Sequence, residues 1–449
     1  LSVTIQHYDR AHQIALQFDP TIYASARNFF LEIFRSAYLV STIVKKYQPC
    51  KIYVSDTINE SLYRKYHSET FDLLPQAVIA HAELHKIKIV TLRRWRQPGS
   101  LIQSFLSQLT SDVLHLYQAS RSQSETKLRQ NRKLIISASD YHLSNLKNFI
   151  NQAAKKWNIV VLGKTSPQIK ASLGHNIEFV NTYQFISVLA YLFLLLKHLL
   201  KLIFSKFELL PSSILENLTP LEMKICRRCN SVFSYWTTSL IFQGEINKFA
   251  FNNIIRNVSP EFVIASNGID NYNRTLVLTA QANNLKDAVI IHHQITDDID
   301  IIEERSGIES LILIPSQGLT TMFRRFPGKA DVVVTGNPIM DEFQYLSNTK
   351  PLRFHQPIKI LFLLCQEHLR FQEENKRIVL EALLELKKYP KPISVILRNH
   401  PQHPDILPHL RQKFPFPVIE RNNTLLHKDL LENDIIITQV TSAAVEAII

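Results

Sequence analysis

Glycine is scarce in this chain, with nine among 449 residues. The nine never fall close enough together for the spacings G-x-G-x-x-G or G-x-x-x-x-G-K, in which a backbone loop wraps around phosphates. The chain is therefore neither a typical dinucleotide-binding dehydrogenase nor a P-loop kinase. A phosphorylated ligand would have to be held by helix N-termini, hydroxyls and basic side chains instead.

Cysteine is also scarce, and its four positions are scattered: Cys50, Cys226, Cys229 and Cys365. This distribution does not suit a disulfide framework, and no signal-peptide pattern opens the chain, so we expect a cytoplasmic protein. The pair in "CRRC" (226–229) has the spacing of half a zinc site, but no second pair follows at ligand distance. We expect an ordinary thiol pair and no metal site.

Acidic residues are rare in one segment of the chain. Residues 86–170 hold 15 Lys and Arg against three acids, and this imbalance equals the net charge of +12 of the whole chain. Apart from "RRWR" (93–96) the basic residues are dispersed, and no nucleic-acid-binding pattern accompanies them, so we expect no nucleic-acid partner. Two interpretations remain: a solvated basic face, or a patch for an anionic acceptor or an anionic membrane surface.

Short apolar runs alternate with longer amphipathic ones along the chain. The runs predict strands at 51–55, 87–92, 133–137, 158–162, 262–266, 288–292, 311–314, 331–335, 358–364, 393–397, 417–419 and 434–438. Helices predicted between them include 142–156, 273–284 and 372–388. Several runs are apolar without alternation, which is typical of parallel strands covered on both faces. We predict an α/β chain of two doubly wound, Rossmann-like domains, 1–346 and 358–449, joined by a Pro-punctuated linker at 347–357.

A helical insertion near 183–235 interrupts this rhythm. It begins with "YQFISVLAYLFLLLKHLLKLIFSKF" (183–207). An uncharged run of 18 residues, 179–196, starts just before this stretch and covers its first half. At about 100° per residue, its polar residues fall within about 140° of arc and leave a wide apolar face, which argues against a transmembrane span. Two interpretations stay open: contact with a membrane surface, and packing within the domain.

Two strands near the end of the chain finish on polar residues suited to phosphate. The strand in "ISVILRNHP" delivers Arg398 and His400 to the carboxyl edge of a sheet. The next strand runs into "VTSAAVEAII", where Thr441 and Ser442 are placed to cap a helix that carries Glu446. Such a helix start attracts phosphate, and the glutamate could accept hydrogen bonds from ribose hydroxyls. The alternative is a polar loop and a plain helix cap.

Candidates for a general base follow the earlier strands. Asp140, in "SASDYHLSNL", stands directly between a strand and a helix start, and it is the first choice, although it could equally cap the helix. Asp56 and Asp270 follow other strands, as do His292 and His293, of which one would face a cleft.

Three motifs in the second half resemble a known group of enzymes. "VVVTGNPIMDEF" (332–343), "ILRNHPQHP" (396–404) and "TQVTSAAVEAII" (438–449) are similar, in that order, to the interdomain crossing and the two donor-site motifs of GT-B-fold enzymes that build bacterial surface polysaccharides. The group includes capsule and O-antigen glycosyltransferases, polysialyl- and Kdo-type transferases and CDP-glycerol glycerophosphotransferases. UDP-N-acetylglucosamine 2-epimerase shares the fold and the "TGNP" pattern. Residues 273–294 resemble the family's helix and strand that end on a His beside the cleft.

The resemblance implies a GT-B-like transferase that uses a nucleotide-sugar or CDP-type donor, with no cofactor and no metal. The acceptor would be an anionic or lipid-linked saccharide, with peripheral membrane contact through 183–207. His400, Thr441 and Ser442 would hold the diphosphate, and the "TGNP" motif places Gly336 and Asn337 at the cleft. For the catalytic base, Asp140 and His293 stay candidates on the evidence of the strand ends alone. The family continues where this sequence stops at Ile449, so a truncated second domain is expected. Alternatives are a 2-epimerase-like enzyme, or a degenerate chain that binds a nucleotide or a partner protein.

Overall fold

The structure is a computed structural model of the chain. It describes residues 2–18, 23–55, 73–92, 110–114, 116–117, 133–163, 165–174, 176–204, 212–267, 270–291, 308–325, 330–338, 357–364, 372–386, 388, 390, 392–398, 418–420 and 426–438. The predicted linker at 347–357 lies almost wholly outside these residues, so the predicted domain boundaries stay a prediction.

The described residues form α-helices and exclusively parallel strand pairs. The strands are β1 (Lys51–Ser55), β2 (Lys88–Leu92), β3 (Lys133–Ser137), β4 (Asn158–Leu162), β5 (Ile177–Val180), β6 (Phe262–Ala265), β7 (Lys286–Ile290), β8 (Leu311–Ile314), β9 (Asp331–Val334), β10 (Ile358–Leu363), β11 (Ile393–Arg398), β12 (Val418–Glu420) and β13 (Ile435–Thr438). The helices are α1 (Ser2–Ala15), α2 (Tyr23–Tyr47), α3 (Leu74–Leu84), α4 (Asp140–Asn145), α5 (Lys147–Ala153), α6 (Pro167–Ser172), α7 (Val188–Phe204), α8 (Ser212–Leu215), α9 (Pro220–Val258), α10 (Asn271–Ala282), α11 (Thr320–Arg325), α12 (Gln372–Leu386) and α13 (Leu426–Glu432).

Two of the sheets are doubly wound. The seven-stranded sheet has the order β5-β4-β3-β6-β7-β8-β9, and the four-stranded sheet has the order β12-β11-β10-β13. In each, the first strand in the chain lies inside the sheet and later strands are added outward on both sides. The strand order therefore reverses between β3 and β6 in the first sheet and between β10 and β13 in the second. The predicted fold class, α/β with two doubly wound sheets, is confirmed.

The strands β1 and β2 form a separate two-stranded parallel sheet and do not extend the large one. Strand β5 was not predicted, because Glu178 interrupts its short apolar run at the sheet edge. The helix predicted at 142–156 is two helices, α4 and α5, which meet at Leu146. Apolar runs thus located the central strands well, whereas an edge strand left a weaker signal.

Both faces of the large sheet are buried, as continuous apolar strands require. On β3, Leu134 and Ile136 face a core that includes residues of α4 and α5, whereas Ile135 faces a core built with α9 and α10. Burying each such side chain contributes about 1.5–3 kcal/mol, so the non-alternating sequence of β3 is explained by two apolar layers rather than one.

The helical insertion lies between β5 and β6 and is longer than predicted. It contains α7, α8 and the 39-residue α9, which ends at Val258 rather than near 235. A capping box starts α9: the Thr219 side chain accepts from the Glu222 N–H, and the Glu222 carboxylate accepts from the Thr219 N–H.

Arg10 of α1 donates to both carboxylate oxygens of Glu222, at 3.0 and 2.9 Å. Burial alone would raise the pKa of Glu222, but the hydrogen bonds from Arg10 and Thr219 outweigh it and lower that pKa.

Helix α7 packs with its polar-containing face inward. His198 is 4% exposed and its ring stacks on Phe242 of α9 at 4.8 Å between centroids, while Lys197 Nζ lies 3.0 Å from Glu245 Oε1. The opposite face is apolar and exposed, and we call it the α7 face: Val188, Leu189, Leu192, Phe193, Leu196, Leu199 and Leu200. At about 100° per residue, the α7 face covers about 140° of arc. One side of the helix is thus packed in the domain and the apolar side is left uncovered by the described residues.

Among the residues described, no helix is long and apolar enough to cross a membrane.

The thiols of the "CRRC" pair belong to a hydrophobic core. Cys226 and Cys229 are free, are at most 1% exposed, and pack in the same cluster as Phe29 and Phe233. Burial raises the pKa of each thiol to about 12. No group of side chains suited to a metal ion occurs among the described residues. The pair therefore acts as two small apolar side chains.

We predict that the two core thiols resist alkylation in the folded protein. The thiolate is the reacting form, so a pKa near 12 should slow iodoacetamide at pH 8 by roughly 10³-fold relative to an ordinary thiol. Peptide mass spectrometry after brief labelling should find Cys50, which is exposed, modified first. Denaturant should make all thiols react alike. Rapid labelling of Cys226 in the folded chain would contradict this packing.

Candidate functional site

The candidate site lies where the strand order reverses in the large sheet. Ligands of doubly wound sheets bind at this point, outside the carboxyl ends of the two strands that flank it. Here the strands are β3 and β6, which end on Ser137 and Ala265, and the Ser266 N–H donates to the Ser137 carbonyl at 2.9 Å. Both serines are buried. The described residues that follow the two strands, 138–142, 266–267 and 270–273, carry the polar groups of the site.

Asn273 connects the two strand ends through hydrogen bonds. The Ser137 hydroxyl donates to Asn273 Oδ1 at 2.5 Å, and Asn273 Nδ2 donates to Asp270 Oδ2 at 2.8 Å. The other oxygen of Asp270 accepts from the Asn273 backbone N–H at 2.7 Å, which makes Asp270 the N-cap of α10. Burial raises the pKa of Asp270, although several hydrogen bonds to its carboxylate oppose this. Asp270, predicted as a cleft residue, thus holds the start of α10 in place.

His142 is a site residue that the sequence did not single out. Its Nδ1 lies 2.9 Å from the Ser266 hydroxyl, so the first turn of α4 is tied to the end of β6. The contact joins residues 124 positions apart. The sequence could have indicated His142 by its position, because it lies two residues after Asp140 in "SDYH", at the start of a helix that follows a strand.

Asp140 connects two loops at the same sheet edge. Each of its carboxylate oxygens lies 3.1 Å from the backbone nitrogen of Ser166, which follows β4. Ser166 in turn caps α6 by accepting from the Ile169 N–H. Asp140 is the first residue of α4 and follows the N-cap, Ser139, so it does not cap its own helix. It remains partly exposed at the edge where a ligand would bind.

Arg398, predicted to bind donor phosphate, forms an ion pair within the second sheet. It ends β11, pairs in register with Leu363 of β10, and its Nη1 donates to Asp429 of α13, whose side chain is fully buried. Thr438 ends the neighbouring β13 and also pairs with Leu363. Arg398 and Thr438 therefore flank the carboxyl end of β10, where the strand order of this sheet reverses.

The remaining predicted residues divide into two groups. Asp56, His292, His293, His400, Thr441, Ser442 and Glu446 lie outside the described residues, and their assignments stay predictions. Gly336 and Asn337 follow β9 at the edge of the large sheet, far in strand order from β3 and β6. Gly336 has φ +81°, a left-handed conformation that favours glycine at this turn.

Comparisons with known proteins give similarities to solved structures only. No protein-family model and no curated protein matches the chain. UDP-N-acetylglucosamine 2-epimerase from Rickettsia bellii is 11% identical, with 71% of this chain and 76% of that chain covered and a TM-score of 0.39. MnaA of S. aureus, solved with UDP, is 12% identical, with 71% and 77% covered and a TM-score of 0.41. MurG of Acinetobacter baumannii is 11% identical, with 70% and 73% covered and a TM-score of 0.38. Similarities of this size carry no argument about activity.

We predict that Asp140 stabilises the sheet edge through its bonds to Ser166. Asp140→Ala removes the acceptor of a partly buried N–H and should lower the free energy of unfolding by about 1–3 kcal/mol. Asp140→Asn keeps one acceptor oxygen and should cost less than about 1 kcal/mol. Urea denaturation of both variants measures the difference. Equal losses in the two variants would mean that the bonds to Ser166 contribute little.

Proposed function

We propose that this chain is a GT-B-type transferase that moves a glycosyl or glycerophosphoryl group from a nucleotide-activated donor to a growing bacterial surface polysaccharide. One observation carries the proposal: a single chain contains two doubly wound parallel sheets, and polar residues gather where the strand order of each reverses. Two such edges suit a reaction of two substrates, because each edge is a separate place for a ligand. In the proposal the large sheet receives the acceptor and the four-stranded sheet receives the donor.

On the donor side, the proposal assigns the diphosphate to His400 and to the helix start at Thr441 and Ser442. Arg398 is held by the buried carboxylate of Asp429, which offsets its charge and orients the guanidinium beside the strand end. The grip on the leaving phosphates therefore depends on an imidazole, hydroxyls and backbone N–H groups. In the proposal Glu446, one turn into the predicted helix, would accept hydrogen bonds from the ribose hydroxyls.

On the acceptor side, transfer requires a group that removes a proton from the attacking hydroxyl. The acceptor oxygen bonds to the transferred group, the nucleotide departs with the electron pair of the broken bond, and the base keeps the proton. Asp140 and His293 are the candidates for this base. Asp140 is supported by its position, because it is partly exposed at the reversal point and the backbone N–H of Ser166 holds its carboxylate.

The α7 face supports contact with a membrane surface. Its Leu189, Phe193 and Leu196 are 79%, 68% and 57% exposed, and the polar side of the helix is occupied by packing on α9. A helix that turns its apolar side outward gains free energy when that side enters the interface of a bilayer. Lys206 follows α7 in the sequence, and its positive charge would favour anionic lipids. A peripheral enzyme placed in this way would meet lipid-linked acceptors.

The donor assignment predicts that His400→Ala weakens nucleotide binding. Loss of a charge-assisted hydrogen bond of roughly 1.5–3 kcal/mol corresponds to about 10- to 150-fold in dissociation constant. Isothermal titration calorimetry of the chain with CMP, CDP, UDP and GDP identifies the preferred nucleobase and gives the dissociation constant. His403→Ala, three residues further on, is the matched control and should change binding little.

Wild type and His400→Ala with equal affinity, both folded, would remove the residue-level support for the donor site. No binding of any of the four nucleotides by wild type would overturn the transferase proposal. A bound UDP-sugar that is epimerised without an acceptor would favour the 2-epimerase-like alternative.

The membrane assignment predicts that the chain floats with anionic vesicles and that charges on the α7 face abolish this. Two side chains of the α7 face contribute at least about 3 kcal/mol when buried, so Phe193→Glu/Leu196→Glu should reduce partitioning at least about 100-fold. Flotation on vesicles of equal parts phosphatidylglycerol and phosphatidylcholine at low salt measures it.

Ile378→Glu/Leu384→Glu is the matched control, because these two apolar side chains of α12 are also exposed, at 46% and 41%. The control should float like wild type. A wild-type chain that stays in the soluble fraction at low salt would contradict membrane contact.

A further inference from the structure

A cavity of about 200 Å³ opens beside the reversal point of the large sheet. Its walls come from the ends of β4 and β5, from the turn of 3₁₀-helix at 182–185, from the middle of α9 and from the first turn of α10. Tyr272, one of its lining residues, directly precedes Asn273, which connects β3 and β6. The cavity therefore adjoins the proposed acceptor edge.

All eight described residues that line the cavity are uncharged. Asn181, Gln243 and Asn247 contribute amides, which both donate and accept hydrogen bonds, and Tyr183 and Tyr272 contribute aromatic rings. Amides pair with hydroxyl groups, and aromatic faces pack against the C–H faces of a sugar ring. The lining therefore suits a neutral ligand that combines a few hydroxyl groups with apolar C–H faces.

Asn247 has hydrogen-bonding capacity that the described residues do not use. Its side chain is 4% exposed, and the one side-chain hydrogen bond it makes among these residues is the long contact of 3.4 Å that Oδ1 accepts from Gln243 Nε2. Because Asn247 also lines the cavity, a ligand hydroxyl there would be a further hydrogen-bond partner for its amide.

Size and charge narrow the class of ligand. Pockets for drug-sized ligands begin at about 300 Å³, so this cavity is too small for a nucleotide-sugar and has room for one ring. Behind it, the buried carboxylate of Asp112 accepts from the Tyr183 hydroxyl at 2.7 Å and from the Tyr191 hydroxyl at 3.2 Å. None of the eight described lining residues offers a positive charge to pair with the carboxylate of a uronate or a sialate.

The cavity is linked to the inward side of helix α7 through the same hydrogen bonds. Tyr183 lines the cavity and Tyr191 belongs to α7, and both donate to Asp112. Ile186, Tyr191 and Phe242 form one small core on which α7 rests. A membrane surface at the α7 face would thus be separated from the cavity wall by the width of helix α7, about 10 Å.

We propose that this cavity binds one neutral pyranose unit of the acceptor saccharide. The proposal extends the acceptor side of the proposed function. Identifying the bound sugar as part of the acceptor rests on that proposed function. It replaces the expectation of an anionic acceptor, at this subsite, by a neutral one.

Saturation-transfer NMR with the full chain tests the proposal directly. The probes are the methyl pyranosides of glucose, galactose and N-acetylglucosamine, with methyl glucuronide as the charged comparison. At millimolar concentrations at least one neutral probe should bind and the glucuronide should bind more weakly. Gln243→Leu should weaken the neutral probe about 3- to 10-fold through its lost hydrogen bonds, and Asn247→Leu by a similar factor.

Gln152→Leu, an exposed amide on α5, is the control and should leave binding unchanged. Thermal melting and nucleotide titration confirm that each variant is folded. If Asn247→Leu does not fold, Gln243→Leu still tests the proposal, because Gln243 is only half-buried and its substitution disturbs the core less. Absence of binding by every neutral probe, binding of the glucuronide at least as tightly, or equal binding in wild type and Gln243→Leu would each overturn the neutral subsite. Nucleotide binding by the same wild-type sample would leave the proposed function standing.

Discussion

The packing of α9 is the constraint on which the first part of the chain depends. Strand β5 is at one edge of the large sheet and β6 is next to β3 in its interior, so the chain must cross back over the sheet between them. Helix α9 makes this crossing over 39 residues, about 58 Å at 1.5 Å per residue. Along its length Phe233 packs in the core of α1 and α2, Ile246 in the core of α7, and Phe251 in the core of β3 and β4. One helix thereby sets the positions of three cores.

The crossing by α9 fixes the geometry of the proposed site. Helix α9 packs on α10, whose first turn carries Tyr272 and Asn273, and its middle turns place Gln243 and Asn247 in the cavity wall. The polar groups at the reversal point are largely engaged with one another, as buried polar groups must be. A network of this kind holds loops in one arrangement, which is what a site for an oriented hydroxyl requires.

Physical context explains which sequence predictions succeeded. The strands β1, β3, β4 and β8 were predicted with their observed bounds. For the central strands β3 and β4 the reason is that both faces are buried, so that most of each run is apolar. Edge strand β5 contains Glu178 and gave no such run. Among the site residues, Asp140 and Asp270 were recognised by position, but their partners, Ser166 and the amide of Asn273, were not. Helix α7 was recognised as amphipathic, yet its polar-containing side packs inward, because Asp112 and Glu245 offer partners to Tyr191 and Lys197.

The sequence by itself determined the α/β class and the order of the described strands other than β5, since these follow from local periodicity and from the residues that terminate each run. Only the tertiary structure decided that His142 meets Ser266, that Arg398 is paired with Asp429, and that the apolar side of α7 faces outward. Such contacts join residues far apart in the chain, 124 positions in the case of His142 and Ser266. No local pattern encodes them, because strand order and the crossing of α9 bring the partners together.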